Sequence, residues 1–154
     1  MSYFPEFTST TVLTSSQLLS LNSSPVLLAP GIPGTIVDIR SIYLEMNPGG
    51  SVYTVGALDS LCLLTGTITG GVPSTSSFLN YQLLLATGFV NSATAISTFL
   101  GQWWADSNAP LSVVEGQGIY AFQYSVASGF PLGSNWTGGN GTLKITINYS
   151  YIVA

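Results

Sequence analysis

Residues able to do chemistry are few in this chain of 154 residues. It has two basic and six acidic residues, one cysteine and no histidine. Without histidine, the Ser–His and Cys–His pairs of nucleophilic catalysis cannot form. One cysteine also falls short of the nitrogen and sulfur ligands that a zinc site needs. The composition therefore excludes the commonest catalytic and metal-binding arrangements.

Paired carboxylates are the catalytic device that the composition still allows, since a glycosidase needs only two. The candidates are Asp38, Glu45, Asp59, Asp106 and Glu115. None lies in a recognisable motif, and acidic residues beside turns usually cap the backbone or face solvent. A calcium site at Asp106 and Asn108 would supply two side-chain oxygens, against about six to eight in typical sites. We predict that the chain is not an enzyme and has no cofactor or metal, with a carboxylate-only hydrolase as the alternative.

Three further motifs have simple structural interpretations. Cys62 lies in the apolar run LCLL (61–64), which predicts a small buried side chain. Asp38 and Arg40 are two residues apart on a predicted strand, which predicts a surface or edge ion pair worth under about 1 kcal/mol. The segment GGNG (138–141) leads into a strand rather than a helix. It therefore predicts a turn and not a phosphate-binding loop.

Short strand patterns alternate with turn signals along the whole chain. The candidates are 10–14, 25–29, 34–46, 51–58, 61–69, 95–104, 110–116, 118–127 and 142–153, while 78–86 suits a strand or a short helix. About eight strands with turn signals every 8–12 residues or so indicate an all-β sandwich or barrel. We predict a single-domain antiparallel β-sandwich over residues 10–154, preceded by an N-terminal arm over residues 1–9.

The closing segment TLKITINYSYIV (142–153) has the clearest pattern. Odd positions from Leu143 to Val153 are apolar or aromatic, and even positions as far as Ser150 are polar. Period 2 predicts a strand with one face in the core and a polar outer face. Burying each side chain of this row would contribute roughly 1.5–3 kcal/mol.

Low charge is the most unusual property of the composition. Charged residues make up 5% of the chain, against about 25% in average soluble domains. The hydrophobic content of 46% argues against disorder, so the surface must consist mainly of Ser, Thr, Asn, Gln and Gly. Such a surface has little charge to keep copies apart, which predicts an assembly.

Several partners and locations are disfavoured by the same numbers. Two basic residues are too few for the phosphate contacts of nucleic-acid binding. No window reaches about 18 uninterrupted apolar residues, so a membrane span is not expected. The N-terminus MSYFPEFTST lacks the features of a signal peptide, which predicts synthesis in the cytoplasm.

Aromatic residues are the candidates for contacts with a partner. We single out Tyr3, Phe4, Phe7, Trp103, Trp104 and Trp136. Ordinary core and loop packing is the simplest interpretation. Alternatively, the N-terminal aromatics and the outward-facing member of the Trp103–Trp104 pair anchor a neighbouring subunit, because aromatic residues are enriched at interface cores. Stacking platforms for sugars are a third possibility.

Two stretches resemble small virion proteins of tailed bacteriophages. LLAPGIPGTIVDIRSIYLEM (27–46) is similar in its apolar strand, APG-type turn and long strand. WTGGNGTLKITINYSYIV (136–153) resembles the Gly-rich turn and Tyr-rich closing strand of that group. The resemblance implies a jelly-roll capsid decoration, or cement, protein without catalytic residues. Such proteins are oligomeric, often trimeric, and clamp adjacent capsomers of the major capsid lattice.

The resemblance and the composition lead to one expectation. We expect a structural virion protein on the capsid exterior, bound to the major capsid protein and self-associated as a homotrimer or, alternatively, a dimer. The N-terminal arm and exposed loops would contact the lattice. The alternative is a receptor- or carbohydrate-binding head-fibre or tail module of the same fold, which would use Trp103, Trp104 or Trp136.

Overall fold

The computed structural model of the chain describes residues 5–57, 59–65, 68–69, 72–73, 79–85, 87–100, 115–125 and 136–154. Within these ranges there are twelve strands and one short helix, α1 (Ser15–Leu19). The strands are β1 (Phe7–Leu13), β2 (Val26–Ala29), β3 (Thr35–Asn47), β4 (Tyr53–Thr54), β5 (Asp59–Thr65), β6 (Ile68–Thr69), β7 (Val72–Pro73), β8 (Leu79–Leu85), β9 (Ile96–Leu100), β10 (Ile119–Ser125), β11 (Thr137–Gly138) and β12 (Thr142–Val153).

Eight of these strands form two four-stranded antiparallel sheets. The first sheet has the order β1-β12-β3-β9, and the second has the order β2-β10-β5-β8. Each sheet takes strands from both halves of the chain, and the buried side chains form one core. This is the strand order of a jelly roll, which consists of two Greek keys. The predicted antiparallel β-sandwich is confirmed, and its strand order is the one that the resemblance implied.

The closing strand β12 is the centre of the first sheet. It lies between β1 and β3, and it pairs with β3 along its whole length and with β1 from Leu143 to Tyr149. The side chains of its inner row are buried, as the period-2 pattern predicted: Leu143, Ile145, Ile147, Tyr149 and Tyr151. Val153 is 62% exposed, so the prediction was wrong for the last residue of the row. Val153 pairs with Thr35, the first residue of β3, where the paired strands end.

Strand β3 changes its buried face at a β-bulge. Asn148 of β12 lies opposite Ser41, but the next residue, Tyr149, lies opposite Ile39, so Arg40 is an extra residue in β3. A bulge of this kind shifts the alternation of side chains by one position. Odd positions therefore face the core before the bulge and even positions after it, and the buried residues are Val37, Ile42, Leu44 and Met46.

Three residues of the predicted N-terminal arm, 7–9, are part of a strand. Strand β1 begins at Phe7 and pairs with β12 from its first residue. Residues 7–9 therefore belong to the first sheet, because their backbone groups complete the ladder along β12. Residues 1–4 lie outside the described part of the chain.

Other boundaries also differ from the sequence prediction. Helix α1 was not predicted; Thr14 caps it, since Thr14 Oγ1 accepts the Gln17 N–H and Gln17 Oε1 accepts the Thr14 N–H. Asp59 and Ser60 begin β5 instead of separating two strands. The strand predicted over 51–58 is reduced to β4, and the ambiguous segment 78–86 contains a strand, β8. Residues 101–114 lie outside the described ranges.

Candidate interaction surfaces

The outer face of the first sheet is polar, and its side chains form hydrogen bonds with one another. Asn148, on the central strand β12, connects both neighbouring strands. Its Oδ1 accepts a hydrogen bond from Thr8 Oγ1 at 2.7 Å, and its Nδ2 donates to Ser41 Oγ at 2.8 Å. In the next row the hydroxyls of Thr10 and Thr146 lie 3.1 Å apart. These cross-strand contacts restrict side chains that would otherwise rotate, so the face is preorganised.

Both basic residues of the chain form ion pairs on this sheet. Arg40 Nη2 lies 2.8 Å from Asp38 Oδ2, which confirms the predicted ion pair. Lys144 pairs with Glu45, which lies directly opposite on β3. The hydrogen bond to Glu45 raises the pKa of Lys144 above its usual value. Because each positive charge is neutralised by its neighbour, the face produces little long-range field.

An aromatic pair interrupts the polar face at its β9 edge. Tyr43 and Phe99 lie directly opposite each other on β3 and β9. Tyr43 is 36% exposed and Phe99 is 65% exposed. Covering exposed aromatic surface stabilises a complex by about 25 cal/mol per Å² of apolar area. The pair is therefore a candidate contact point that sequence reasoning missed, because the register of β3 against β9 was needed to bring the two residues together.

Of the predicted N-terminal anchors, Phe7 is the one in the described part of the chain. Its ring stacks on Tyr149 with centroids 5.6 Å apart and meets Tyr151 edge-on at 5.4 Å. Phe7 is thus fixed at the end of the inner row of β12, although 38% of its surface remains exposed. Tyr3 and Phe4 lie outside the described residues.

Of the three predicted tryptophans, Trp136 is in the described part of the chain. Trp136 is 1% exposed and belongs to the hydrophobic core, so the prediction of a surface role for this residue was wrong. It directly precedes β11, and the pairing of β11 with β4 brings this segment back onto the sandwich. Trp103 and Trp104 lie outside the described residues.

The acidic candidates have structural partners wherever the structure describes them. Asp38 and Glu45 are in the ion pairs above. Asp59 is buried, and its Oδ2 accepts the Gly56 N–H at 2.8 Å, which closes the turn before β5. Glu115 Oε1 accepts the Gly34 N–H at 3.0 Å. Asp106 lies outside the described ranges, within which no group of three or more His, Cys, Asp or Glu residues could hold a metal.

Cys62 is a core residue, as the sequence predicted. Its side chain is fully buried, and it is a free thiol. Burial raises the pKa of this thiol to about 12. Because the thiolate is the reactive form, Cys62 is chemically inert in the folded chain near neutral pH.

Comparison with known proteins adds little to these observations. No family model and no curated protein matches the chain. Among solved structures, a chain in the cryo-EM structure of mud crab tombus-like virus is similar, at 8% identity and a TM-score of 0.31, over 100% of this chain and 84% of that one. A likeness this weak carries no argument, so the fold assignment rests on the strand order. In the described parts of the chain, no helix is long and apolar enough to cross a membrane.

Proposed function

We propose that this chain is a structural virion protein that decorates the outer surface of a capsid and stabilises the lattice of the major capsid protein. The observation that carries the proposal is the jelly-roll order, β1-β12-β3-β9 facing β2-β10-β5-β8. Viral capsid proteins, lectins and cupins use this fold. A fold alone does not assign a function, so the choice among these three classes of protein depends on the surface of the chain.

The described surface is suited to contact rather than to reaction chemistry. Its outer sheet face presents hydroxyl and amide groups that bond to one another, and both cations are neutralised locally. The described candidate carboxylates all serve turns or ion pairs. A neutral, rigid surface of this kind can pack against neighbours without repulsion. Many weak contacts of this type on one lattice become strong together through multivalency.

Self-association is the second part of the proposal. Strand β9 is at the edge of the first sheet, and its sequence ISTFL has neither a charge nor a proline to protect that edge. Phe99 of β9 and Tyr43 of the neighbouring strand β3 form the exposed aromatic pair. We place the contact between copies here, in a homotrimer or, alternatively, a dimer.

Light-scattering mass tests this proposal directly. The purified chain is measured alone and then mixed with undecorated shells of the virus that encodes it. The proposal predicts a stable trimer or dimer that binds the shells to saturation. A monomer that does not bind the shells would contradict the proposal.

A carbohydrate-binding head-fibre or tail module is the second candidate. The exposed rings of Tyr43 and Phe99 on the same sheet face as Asn148 and Ser41 favour it, because sugars bind to aromatic rings flanked by hydrogen-bonding groups. A glycan array separates the two candidates. Specific glycan binding that Phe99→Ser abolishes, together with no binding to shells, would favour this second function.

A further inference from the structure

A rigid apolar loop lies at the end of the sandwich where β12 ends. The loop PGIPG (30–34) connects β2 to β3 and contains two prolines, which fix their φ angles. The N–H and the hydroxyl of Thr35 both donate to the carbonyl oxygen of Ile32, at 3.1 and 2.8 Å. Gly31 packs directly against the backbone of Gly116, since a Cβ at position 31 would lie 2.1 Å from the Gly116 carbonyl oxygen. The backbone is therefore fixed, while the side chain of Ile32 is 44% exposed.

The end of β12 lies against this loop. Val153 pairs with Thr35 and is 62% exposed. The N–H of Ala154 donates to the carbonyl oxygen of Gly34 at 3.0 Å, which holds the end of the strand in place. Thr35 thus links the two residues, since it pairs with Val153 and donates to the carbonyl oxygen of Ile32.

An aromatic side chain extends the same region. The hydroxyl of Tyr151 donates to the carbonyl oxygen of Pro30 at 2.9 Å, and the ring of Phe7 lies edge-on to Tyr151. The exposed residues of this region share a fixed backbone and an apolar side chain. We call them the apolar end surface: Phe7, Ile32, Pro33 and Val153.

The net charge described at this end is acidic, because Asp38 and Arg40, beside Ser150 of β12, neutralise each other. Glu6 is exposed and precedes Phe7, and Glu115 is exposed and bonded to the loop through Gly34. The two cations of the chain, Arg40 and Lys144, are held in ion pairs with neighbouring carboxylates. Two copies meeting through this end would bring like charges together, with no unpaired cation among the described residues to offset them. Like-charge contacts disfavour such an interface.

We propose that the apolar end surface docks onto an apolar patch bordered by lysine or arginine on the major capsid protein. This inference rests on the proposed function and names the contact that would carry it. The fixed loop loses little conformational entropy on binding, so the apolar contact retains most of its favourable free energy. Glu6 and Glu115 would orient the encounter by charge complementarity.

The experiment is a titration of undecorated shells with the unaltered chain and with variants, at low and high salt. Ile32→Ser and Val153→Ser remove apolar contact from this surface. Val52→Ser is the matched control, because Val52 is 45% exposed and follows β3, whereas Ile32 precedes it. The double variant Glu6→Gln/Glu115→Gln removes the charges and keeps an acceptor for the Gly34 N–H. Circular dichroism confirms that each variant is folded.

We expect Ile32→Ser and Val153→Ser each to raise the Kd for shells by about tenfold, and Val52→Ser to leave it within about twofold. The double glutamine variant should weaken binding at low salt and lose most of its salt dependence. Unchanged affinity in all of these variants, with normal binding by the unaltered chain, would overturn the docking site but leave the proposed function in place. Failure of the unaltered chain to bind would contradict the proposed function itself.

Discussion

The hydroxyl of Tyr53 donates a hydrogen bond to the carbonyl oxygen of Gly141 over 2.7 Å, and so ties the segment after β3 to the segment before β12. Tyr53 is 2% exposed, and burial raises its pKa. The Ser51 N–H donates to Asn140 Oδ1 at 2.9 Å beside it. One end of the sandwich is therefore closed by hydrogen bonds between loops that are far apart in sequence.

Tyr53→Phe should lower the free energy of unfolding by about 1–3 kcal/mol, because it leaves the Gly141 carbonyl buried without its donor. Urea denaturation followed by fluorescence measures the change. Tyr43→Phe is the control, since Tyr43 is on the exposed outer face. Equal losses of unfolding free energy in Tyr53→Phe and Tyr43→Phe would mean that the buried hydrogen bond does not stabilise the fold.

Gly139→Ala should destabilise the same end of the sandwich by about 2 kcal/mol or more. Gly139 has φ +75°, and a Cβ there would lie 2.4 Å from Cδ1 of Tyr53, so the variant combines backbone strain with a clash. Gly50→Ala is the matched control, because the nearest atom to its Cβ is 3.8 Å away. Thermal unfolding compares the two. A Gly139→Ala variant as stable as the control would contradict this account of the loop.

Two substitutions on β12 test the burial gradient along its inner row. Ile147→Ala should cost about 2–4 kcal/mol, because it opens a cavity in the core between the sheets. Val153→Ala should cost under about 1 kcal/mol, since most of that side chain already contacts water. Chemical denaturation of both variants gives the comparison. Similar costs at the two positions would show that the end of the strand is covered in the folded chain.

Cys62 should resist thiol reagents in the folded protein and react once the chain unfolds. The folded pKa of about 12 lies above the ordinary value near 9. The unfolded chain therefore loses this proton first as pH rises, so Cys62 should reduce stability progressively between about pH 9 and 12 and have no such effect at lower pH. Labelling with a chromogenic disulfide at pH 8, with and without denaturant, measures the protection. Rapid labelling without denaturant would contradict the burial of this side chain.

The class of the fold could be predicted from the sequence, because period-2 rows and Gly/Pro turns are local signals. The inner row from Leu143 to Tyr151 is an example, since its burial follows from alternation alone. The phase change in β3 could not be predicted in this way. It depends on one extra residue at Arg40, which is defined only by pairing with β12.

The candidate surfaces were harder to predict, because exposure depends on pairing between distant segments. Trp136 lies in a Gly-rich segment but is buried beside the β4–β11 pair. Phe7 was expected in a free arm, yet its backbone extends the sheet and its ring packs on two tyrosines. The pair Tyr43–Phe99 and the surface around Ile32 and Val153 had no local signal.

Capsid stabilisation is the central claim, and the temperature at which undecorated shells disassemble tests it most directly. Shells are heated in a calorimeter with increasing amounts of the chain. The account predicts that the disassembly temperature rises and reaches a plateau at a fixed number of copies per capsomer, because a ligand that binds the assembled state stabilises it. A disassembly temperature unchanged at saturating protein would contradict the claim that this chain stabilises a capsid lattice.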